Sequence, residues 1–145
     1  MRLHAQQKQK IIDYFHSRLE VAGVYLYGSQ ARDKAGPLSD VDIAVLMSSK
    51  TDKDNYFDFQ LEYISKVQSI LNVDLAADVK ILNGNQALAY QASVISEGEL
   101  IVKNRPAEVE SFTHRIAMLY PDFYPVLQNY YSQMNQRLTG DAYAA

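Results

Sequence analysis

The sequence predicts an α/β (α+β) domain in which a small β-sheet is flanked by helices. Three observations support this fold class. Two short runs rich in β-forming residues, "GVYLYG" and "VDIAVLM", lie close together in the first third of the chain. Between residues 54 and 71, large apolar side chains recur at intervals of three and four, which is typical of a helix. Helical and extended segments then alternate, which gives the order α-β-β-α-β-α-β-α-α.

The first half of the chain is predicted to contain two helices and two strands. A helix is predicted over 5–20, a strand over 23–28 and a loop over 30–39. The run at 41–47 predicts a strand buried on both faces, because its apolar residues are nearly continuous. A second helix is predicted over 54–71. The apolar faces of the two helices are Ile11, Ile12, Phe15 and Leu19 in the first, and Phe57, Leu61, Ile64, Val67 and Leu71 in the second.

The second half is predicted to contain two further extended segments and three helices. In order, these are an extended segment at 73–82 ended by the turn sequence "NGN", a helix at 85–97, a strand at 99–102, a helix from Pro106 to Leu119 and a last helix at 122–138. The tail is rich in aromatic residues: Tyr120, Phe123, Tyr124, Tyr130 and Tyr131. Such a helix either completes the core or forms a protein–protein contact, since tyrosine is enriched at interfaces.

Composition excludes several classes of function. The 145 residues suit one domain, and they include no cysteine, which excludes disulfides, a thiolate nucleophile and cysteine-based zinc sites. The net charge of −3 argues against direct nucleic-acid binding, because phosphate binding requires a basic surface. No apolar run approaches the roughly 20 residues of a membrane span, and the N-terminus does not resemble a signal peptide. We therefore expect a cytoplasmic protein without membrane contact.

The most informative pattern is a glycine–serine pair followed by two aspartates. Gly28-Ser29 ends the first strand, and ten residues separate Ser29 from Asp40, which precedes Asp42 by two. Side chains alternate along a strand, so both carboxylates are predicted to point to one side, where their oxygens suit Mg²⁺. Glycine permits close approach of a ligand to the backbone, and the serine hydroxyl can bind phosphate oxygens. Taken alone, two such aspartates also fit a strand cap beside an exposed carboxylate.

The complete GS-x10-D-x-D pattern resembles the signature of the DNA polymerase β-like nucleotidyltransferases, and in particular the minimal nucleotidyltransferase (MNT) domain. "YGSQARDKAGPLSDVDIAVL", "ADVKILN" and "ALAYQASVISEGELIV" carry the likeness, which covers residues 8–103. The resemblance implies a small mixed sheet with C-terminal helices. It also implies an MNT core at 1–103, with residues 104–145 as a helical extension of the same domain. Two residues depart from the common pattern: Gln30 stands where arginine is frequent, and Asp33 stands where glycine is frequent.

The resemblance also implies roles for individual residues. Asp40, Asp42 and Asp78 correspond to the catalytic carboxylates, which bind two Mg²⁺ ions, while Gly28, Ser29 and Arg32 contact the nucleotide. Asp74 is the rival for the third carboxylate, and Asp78 is preferred because "DVKILN" aligns without a gap. Arg32 can instead be a structural ion-pair partner. Lys80 either approaches the nucleotide or is an exposed lysine.

Stand-alone MNT proteins of this size are typically antitoxins of HEPN–MNT pairs. The resemblance therefore implies Mg²⁺-dependent transfer of AMP from ATP to a tyrosine of a HEPN ribonuclease toxin, which would be neutralised within a hetero-oligomer. Residues 107–138 are the expected docking region. Two alternatives remain: an antitoxin that acts by binding alone, and a nucleotidyltransferase that modifies a small molecule such as an aminoglycoside.

Overall fold

A computed structural model describes residues 3–28, 40–72, 75–120 and 132. In these residues a four-stranded sheet carries two helices on each face. The elements are α1 (Ala5–His16), β1 (Val21–Tyr27), β2 (Val41–Met47), a 3₁₀ turn (Lys53–Asn55), α2 (Tyr56–Leu71), β3 (Ala77–Ile81), α3 (Leu88–Glu97), β4 (Glu99–Lys103) and α4 (Pro106–Leu119).

The sheet is mixed, as predicted. Its spatial order is β3-β2-β1-β4, with β1 antiparallel to both of its neighbours and β2 parallel to β3. A parallel pair requires a crossover connection, and α2 provides it between β2 and β3. The α+β fold class predicted from the sequence is therefore confirmed.

Each face of the sheet has its own apolar core. On one face, α1 and α2 pack against alternate strand residues such as Val24, Ile43 and Val79. On the other face, α3 and α4 pack against the intervening residues, among them Tyr25 and Ala44. Because both faces are covered, β2 is apolar almost throughout, which confirms the predicted burial on both sides.

The first helix ends earlier than predicted. It stops at His16, and the next residues form a turn in which the Arg18 N–H donates to the Phe15 carbonyl. The Nδ2 group of Asn104 also donates to the Phe15 carbonyl, over 3.0 Å, from the end of β4. Leu19 therefore lies beyond the helix and is 82% exposed, so its predicted place on the apolar face was wrong.

The buried stripe of α2 differs from the predicted one. Val67 and Leu71 are fully buried, but Phe57 and Leu61 are 66% and 50% exposed. Tyr63 lies in the core instead, with its hydroxyl donating to Glu20 over 3.0 Å. The periodicity thus predicted the helix correctly but did not distinguish the side chains that face the sheet from those that flank it.

Glutamine side chains cover the outer edge of β3. The Nε2 group of Gln60 donates to the Val79 carbonyl over 2.8 Å. Gln68 accepts from the Ala77 N–H over 2.9 Å and donates to the carbonyls of Leu75 and Asn72. Backbone groups that would otherwise remain unpaired at this edge are therefore hydrogen-bonded to α2.

Some of the remaining predicted elements have shifted bounds, some are confirmed and some are untested. The strand predicted over 23–28 spans Val21–Tyr27, and the extended segment predicted over 73–82 contains β3 at Ala77–Ile81. The helices predicted over 54–71 and 85–97 begin at Tyr56 and Leu88. The strand at 41–47 and the helix from Pro106 to Leu119 have the predicted bounds, and α3 and β4 lie where helix and strand were expected. The predicted loop over 30–39 and last helix over 122–138 lie almost wholly outside the described residues. The division into a core at 1–103 and an extension at 104–145 stays a prediction. None of the helices in the described ranges is long and apolar enough to span a bilayer.

Candidate functional site

The candidate site lies at one rim of the sheet, where β1 ends and both β2 and β3 begin. We call it the carboxylate rim, and it comprises Tyr27, Gly28, Asp40, Asp42 and Asp78. In the strand register Asp42 lies between Tyr27 of β1 and Asp78 of β3. Paired residues of neighbouring strands project to the same face, so these three side chains emerge together.

The rim continues the sheet face that packs on α3 and α4. Tyr25 and Ala44 lie one step further along the strands and are buried in that core. Asp42 and Asp78 lie beyond it and are only partly buried. The apolar core therefore bounds the rim on its inner side, while Asp42 and Asp78 keep part of their surface exposed.

Asp42 is the most electrostatically perturbed carboxyl of the described residues. Its pKa is raised from 3.8 to about 6, first because burial disfavours the charged form and then because the negative charges of Asp78 and Asp40 lie nearby. A hydrogen bond with Asp78 raises the pKa of Asp42 further, whereas the ammonium of Lys80 lowers it. An excess of negative charge at the rim would be relieved by a bound cation.

Gly28 makes room for this carboxylate. Its φ of +77° lies in the region that residues with side chains rarely adopt. A Cβ atom built at this position would overlap the Oδ2 atom of Asp42. The sequence had indicated a close backbone approach at Gly28, and the group approached in the structure is the carboxylate itself. Contact between Gly28 and a nucleotide stays a prediction.

The structure places five of the eight residues singled out around the site at or beside the rim. Asp42 and Asp78 are register neighbours, and Asp40 is exposed immediately before β2. Lys80 follows Asp78 on the same face, and its Nζ atom is 3.6 Å from the Asp78 Oδ2 atom. Gly28 closes β1, which brings the number described to five. Ser29, Arg32 and Asp74 lie outside the described residues, so their predicted roles stay predictions.

The carboxylates of the rim have the donor chemistry of a divalent-cation site but do not form a complete set of ligands. Within residues 3–28, 40–72, 75–120 and 132, no three side chains of His, Cys, Asp or Glu form a group that could hold a metal ion. The donor chemistry nevertheless fits Mg²⁺, since Asp42 and Asp78 offer hard oxygen atoms from adjacent strands. The two carboxylates would form part of a coordination shell, and Asp40 and phosphate oxygens would have to complete it.

Two tyrosines at this site were missed by the sequence analysis. The Tyr90 hydroxyl donates to the Tyr27 hydroxyl over 2.8 Å, and the two rings meet edge to face. Burial raises the pKa of both phenols, so neither is a ready anion at neutral pH. Tyr27 is recognisable in the sequence as the neighbour of Gly28. Tyr90 gave no local signal, because 63 residues separate it from its partner.

Comparison with known proteins identifies the class to which this fold and rim belong. Residues 9–107 match the family model described as polymerase beta, nucleotidyltransferase. The chain therefore belongs to the polymerase beta nucleotidyltransferase family, which confirms the predicted resemblance. A search of curated proteins found no significant match.

Several solved structures share the fold over nearly the whole chain. One is the toxin–antitoxin with AMP-PNP, with a TM-score of 0.60, 20% identity, and coverage of 97% of this chain and 98% of that one. Another is the toxin–antitoxin MntA–HepT, with a TM-score of 0.59, 20% identity, and coverage of 98% and 100%. A third is the tri-AMPylated Shewanella oneidensis HEPN toxin in complex with MNT antitoxin, with a TM-score of 0.57, 20% identity, and coverage of 97% and 98%. At this identity the likeness shows the fold alone.

Proposed function

We propose that this protein is an antitoxin nucleotidyltransferase that transfers AMP from ATP to a tyrosine of a HEPN ribonuclease toxin and so neutralises it in the cytoplasm. The observation that carries the proposal is the placement of Asp42 beside Asp78, with the pKa of Asp42 raised to about 6. Without a cation this arrangement is electrostatically unfavourable, and such sites are common where function requires them. Membership of the nucleotidyltransferase family gives the arrangement its chemical meaning.

The structural neighbours support the choice of substrate and partner. Their descriptions name toxin–antitoxin pairs, the nucleotide analogue AMP-PNP and an AMPylated HEPN toxin bound to an MNT antitoxin. Their coverage of this chain includes nearly all of its length, so the likeness is not confined to a common core. A hetero-oligomer with a HEPN toxin is therefore the partner that we propose, with residues 107–138 as its docking region.

The proposed chemistry is an in-line displacement at the α-phosphorus of ATP. Asp78 accepts the proton of the tyrosine hydroxyl, whose oxygen forms a bond to the α-phosphorus while the bond to the bridging oxygen breaks and pyrophosphate leaves. Asp40 and Asp42, together with Asp78, would hold two Mg²⁺ ions. When bound, these ions supply charge neutralisation for the triphosphate and lower the pKa of the acceptor hydroxyl. Gly28, Ser29 and Arg32 would contact the phosphates.

The proposal is tested by incubating the purified protein with ATP, Mg²⁺ and a candidate HEPN toxin from the adjacent reading frame. Intact mass spectrometry should show adenylyl groups added to the toxin, and its ribonuclease activity should fall. Asp42→Asn should abolish the mass increase, because it removes a carboxylate of the metal set. The exposed Asp13→Asn is the matched control and should behave as wild type.

Two outcomes would contradict the proposal. If Asp42→Asn neutralises the toxin as well as wild type does and no adenylyl group is found, the antitoxin acts by binding alone. If a small hydroxylated substrate such as an aminoglycoside is modified without any partner, the acceptor is not the toxin.

A further inference from the structure

Lys80 has two partners at the carboxylate rim, although its side chain is 42% exposed. Its Nζ atom lies 3.6 Å from the Oδ2 atom of Asp78 and 5.4 Å from the centre of the Tyr90 ring. An exposed lysine ordinarily samples many rotamers, because it loses side-chain entropy when it is fixed. The ring face and the carboxylate act on the same ammonium group, so their combined attraction favours one position.

Tyr90 is itself fixed in place. It lies in the first turn of α3 and donates its hydroxyl to Tyr27 over 2.8 Å, with ring centroids 5.8 Å apart. Tyr27 faces Asp42 across β1 and β2. Side-chain contacts thus run from Tyr27 through Tyr90 and Lys80 to Asp78, and both ends of this series are register neighbours of Asp42.

The contacts of Lys80 oppose a repulsion between carboxylates that the strand register creates. Asp42 and Asp78 lie side by side, and Asp40 adds a third negative charge nearby. When these carboxyls are ionised and no longer share a hydrogen bond, repulsion favours Asp78 rotamers that point away from the site. The ammonium of Lys80 attracts the Asp78 carboxylate, and the Tyr90 ring keeps the ammonium at the rim rather than in solvent.

We propose that Lys80 is a positioning residue that holds the Asp78 carboxylate in place at the rim, and that the ring of Tyr90 holds Lys80. This inference rests on the proposed function, in which Asp78 accepts the proton of the tyrosine hydroxyl. Asp78 is the group that touches the reacting atoms, and Lys80 acts through it. Tyr90 acts through the face of its ring, which attracts the ammonium of Lys80, whereas its hydroxyl only orients the ring.

Steady-state kinetics of AMP transfer distinguish this role from direct binding of ATP by Lys80. Lys80→Ala should lower kcat on the order of tenfold to a hundredfold, with little change in the KM for ATP, because a misplaced base slows the chemical step. Lys80→Arg keeps a cation over the ring and should recover most of the lost kcat. A raised KM for ATP with unchanged kcat would overturn the proposal, since Lys80 would then bind the triphosphate.

Variants of Tyr90 test the ring separately. Tyr90→Phe keeps the ring face and should retain most of the activity, whereas Tyr90→Leu should reduce kcat in the same direction as Lys80→Ala. Equal effects of the two substitutions would contradict the assigned role of the ring. Lys103→Ala is the matched control, because Lys103 also lies on a strand within 4 Å of a carboxylate, 3.5 Å from Glu110. It pairs with Gly23 near the opposite end of β1 and should leave kcat unchanged.

A measurement without any partner separates failure of this inference from failure of the proposed function. In NMR spectra of the isolated protein, the ε-methylene protons of Lys80 should show a ring-current shift that persists in Tyr90→Phe and disappears in Tyr90→Leu. The β-proton couplings of Asp78 should report one dominant rotamer in wild type and averaging in Lys80→Ala. A single Asp78 rotamer in Lys80→Ala would overturn the positioning role, whether or not the protein transfers AMP.

Discussion

The Asp42 carboxyl lowers the stability of the fold at a position where the proposed function requires a charge. The residue continues a strand whose other positions are nearly all buried, yet it carries a carboxyl between a tyrosine and a second carboxyl. Gly28 adopts a left-handed conformation and leaves space for this group. The local rules of strand burial are thus broken at the one place where the proposed chemistry requires a charge.

Because the pKa of Asp42 is raised, replacing its carboxyl with a neutral amide should stabilise the protein only at a pH where the carboxyl is ionised. Because the folded-state pKa of about 6 exceeds the ordinary 3.8, the folded protein retains the proton longer than the unfolded chain. Stability is therefore lost as pH rises from about 4 through 6. Asp42→Asn should raise the free energy of unfolding at pH 7.5 by about 1 kcal/mol, allowing for solvent screening, and have little effect at pH 4.

Thermal unfolding at both pH values measures this difference. The melting temperature of Asp42→Asn should exceed that of wild type by roughly 3 °C at pH 7.5. Asp13→Asn, at an exposed position of α1, should show no such gain. A gain for Asp42→Asn that is equal at pH 4 and pH 7.5 would show that the carboxyl is not under electrostatic strain.

At this scale the sequence indicated the carboxylates that meet at the rim, whose roles stay predictions, but it did not indicate the aromatic contacts. The spacing of Asp40, Asp42 and Gly28 is local, so a motif could reveal it. The pairing of Tyr27 with Tyr90 depends on how α3 packs against β1, and no short segment contains that information. Lys80 was interpretable only as exposed or nucleotide-facing, because its contact with the Tyr90 ring depends on how α3 is placed beside β3.

Among the secondary-structure elements, α2 has two tasks. It buries Tyr63, Val67 and Leu71 against the sheet, and its glutamines cover the edge of β3. Gln68 alone joins three backbone groups near the β3 start, which lies next to the carboxylate rim. The position of Asp78 therefore depends on α2 as well as on the neighbouring strand.

Loss of the Gln68 amide should destabilise the protein. Gln68→Ala would leave the Ala77 N–H and the Leu75 carbonyl without their side-chain partner, so we expect a loss of about 2 kcal/mol in the free energy of unfolding. Urea denaturation measures this loss. Gln9→Ala is the control, since Gln9 makes an exposed hydrogen bond to Asp13 and should cost much less. Equal losses would mean that water replaces the Gln68 contacts.

The elements that were predicted well are those whose limits are set locally. Pro106 begins α4 because proline suits the first turn of a helix, and the apolar run at 41–47 coincides with β2. The end of α1 was predicted poorly because it depends on Asn104, directly after β4, whose Nδ2 group donates a hydrogen bond to the Phe15 carbonyl. Phe57 is likewise exposed because the buried side of α2 is formed by Tyr63, Val67 and Leu71, a choice among the periodic positions that the sequence does not specify.

At the scale of the whole molecule, the carboxylate rim lies at the end of the sheet rather than on either of its covered faces. Helices α1 and α2 cover one face, and α3 and α4 cover the other. The carboxylate rim lies beyond the second core, beside the first turn of α3. A ligand there can contact the sheet without disturbing either core.

This arrangement predicts that Mg²⁺ and ATP together stabilise the folded protein in a pH-dependent manner. A ligand that binds only the folded state raises the melting temperature, and the Asp42 proton competes with the cation. The shift in melting temperature should therefore be large at pH 7.5 and small at pH 5, with affinity falling about tenfold for each pH unit below 6. Differential scanning fluorimetry with MgATP measures it.

Asp42→Asn provides the control for this experiment. The variant should show little stabilisation by MgATP at either pH, since it lacks one of the proposed cation ligands. A shift that does not depend on pH in wild type, or that is unchanged in Asp42→Asn, would place the nucleotide away from the rim.

The glutamine side chains of α2 that bind the edge of β3 also affect whether another strand can be added to the sheet there. Gln60 and Gln68 already occupy the places where the amide and carbonyl groups of an added strand would bind. A second copy that extended the sheet on that side would have to displace these two side chains, so the edge of β3 is a weaker template for fibrous aggregation. A polypeptide beside β3 would gain fewer backbone hydrogen bonds, and its recognition would depend more on side chains.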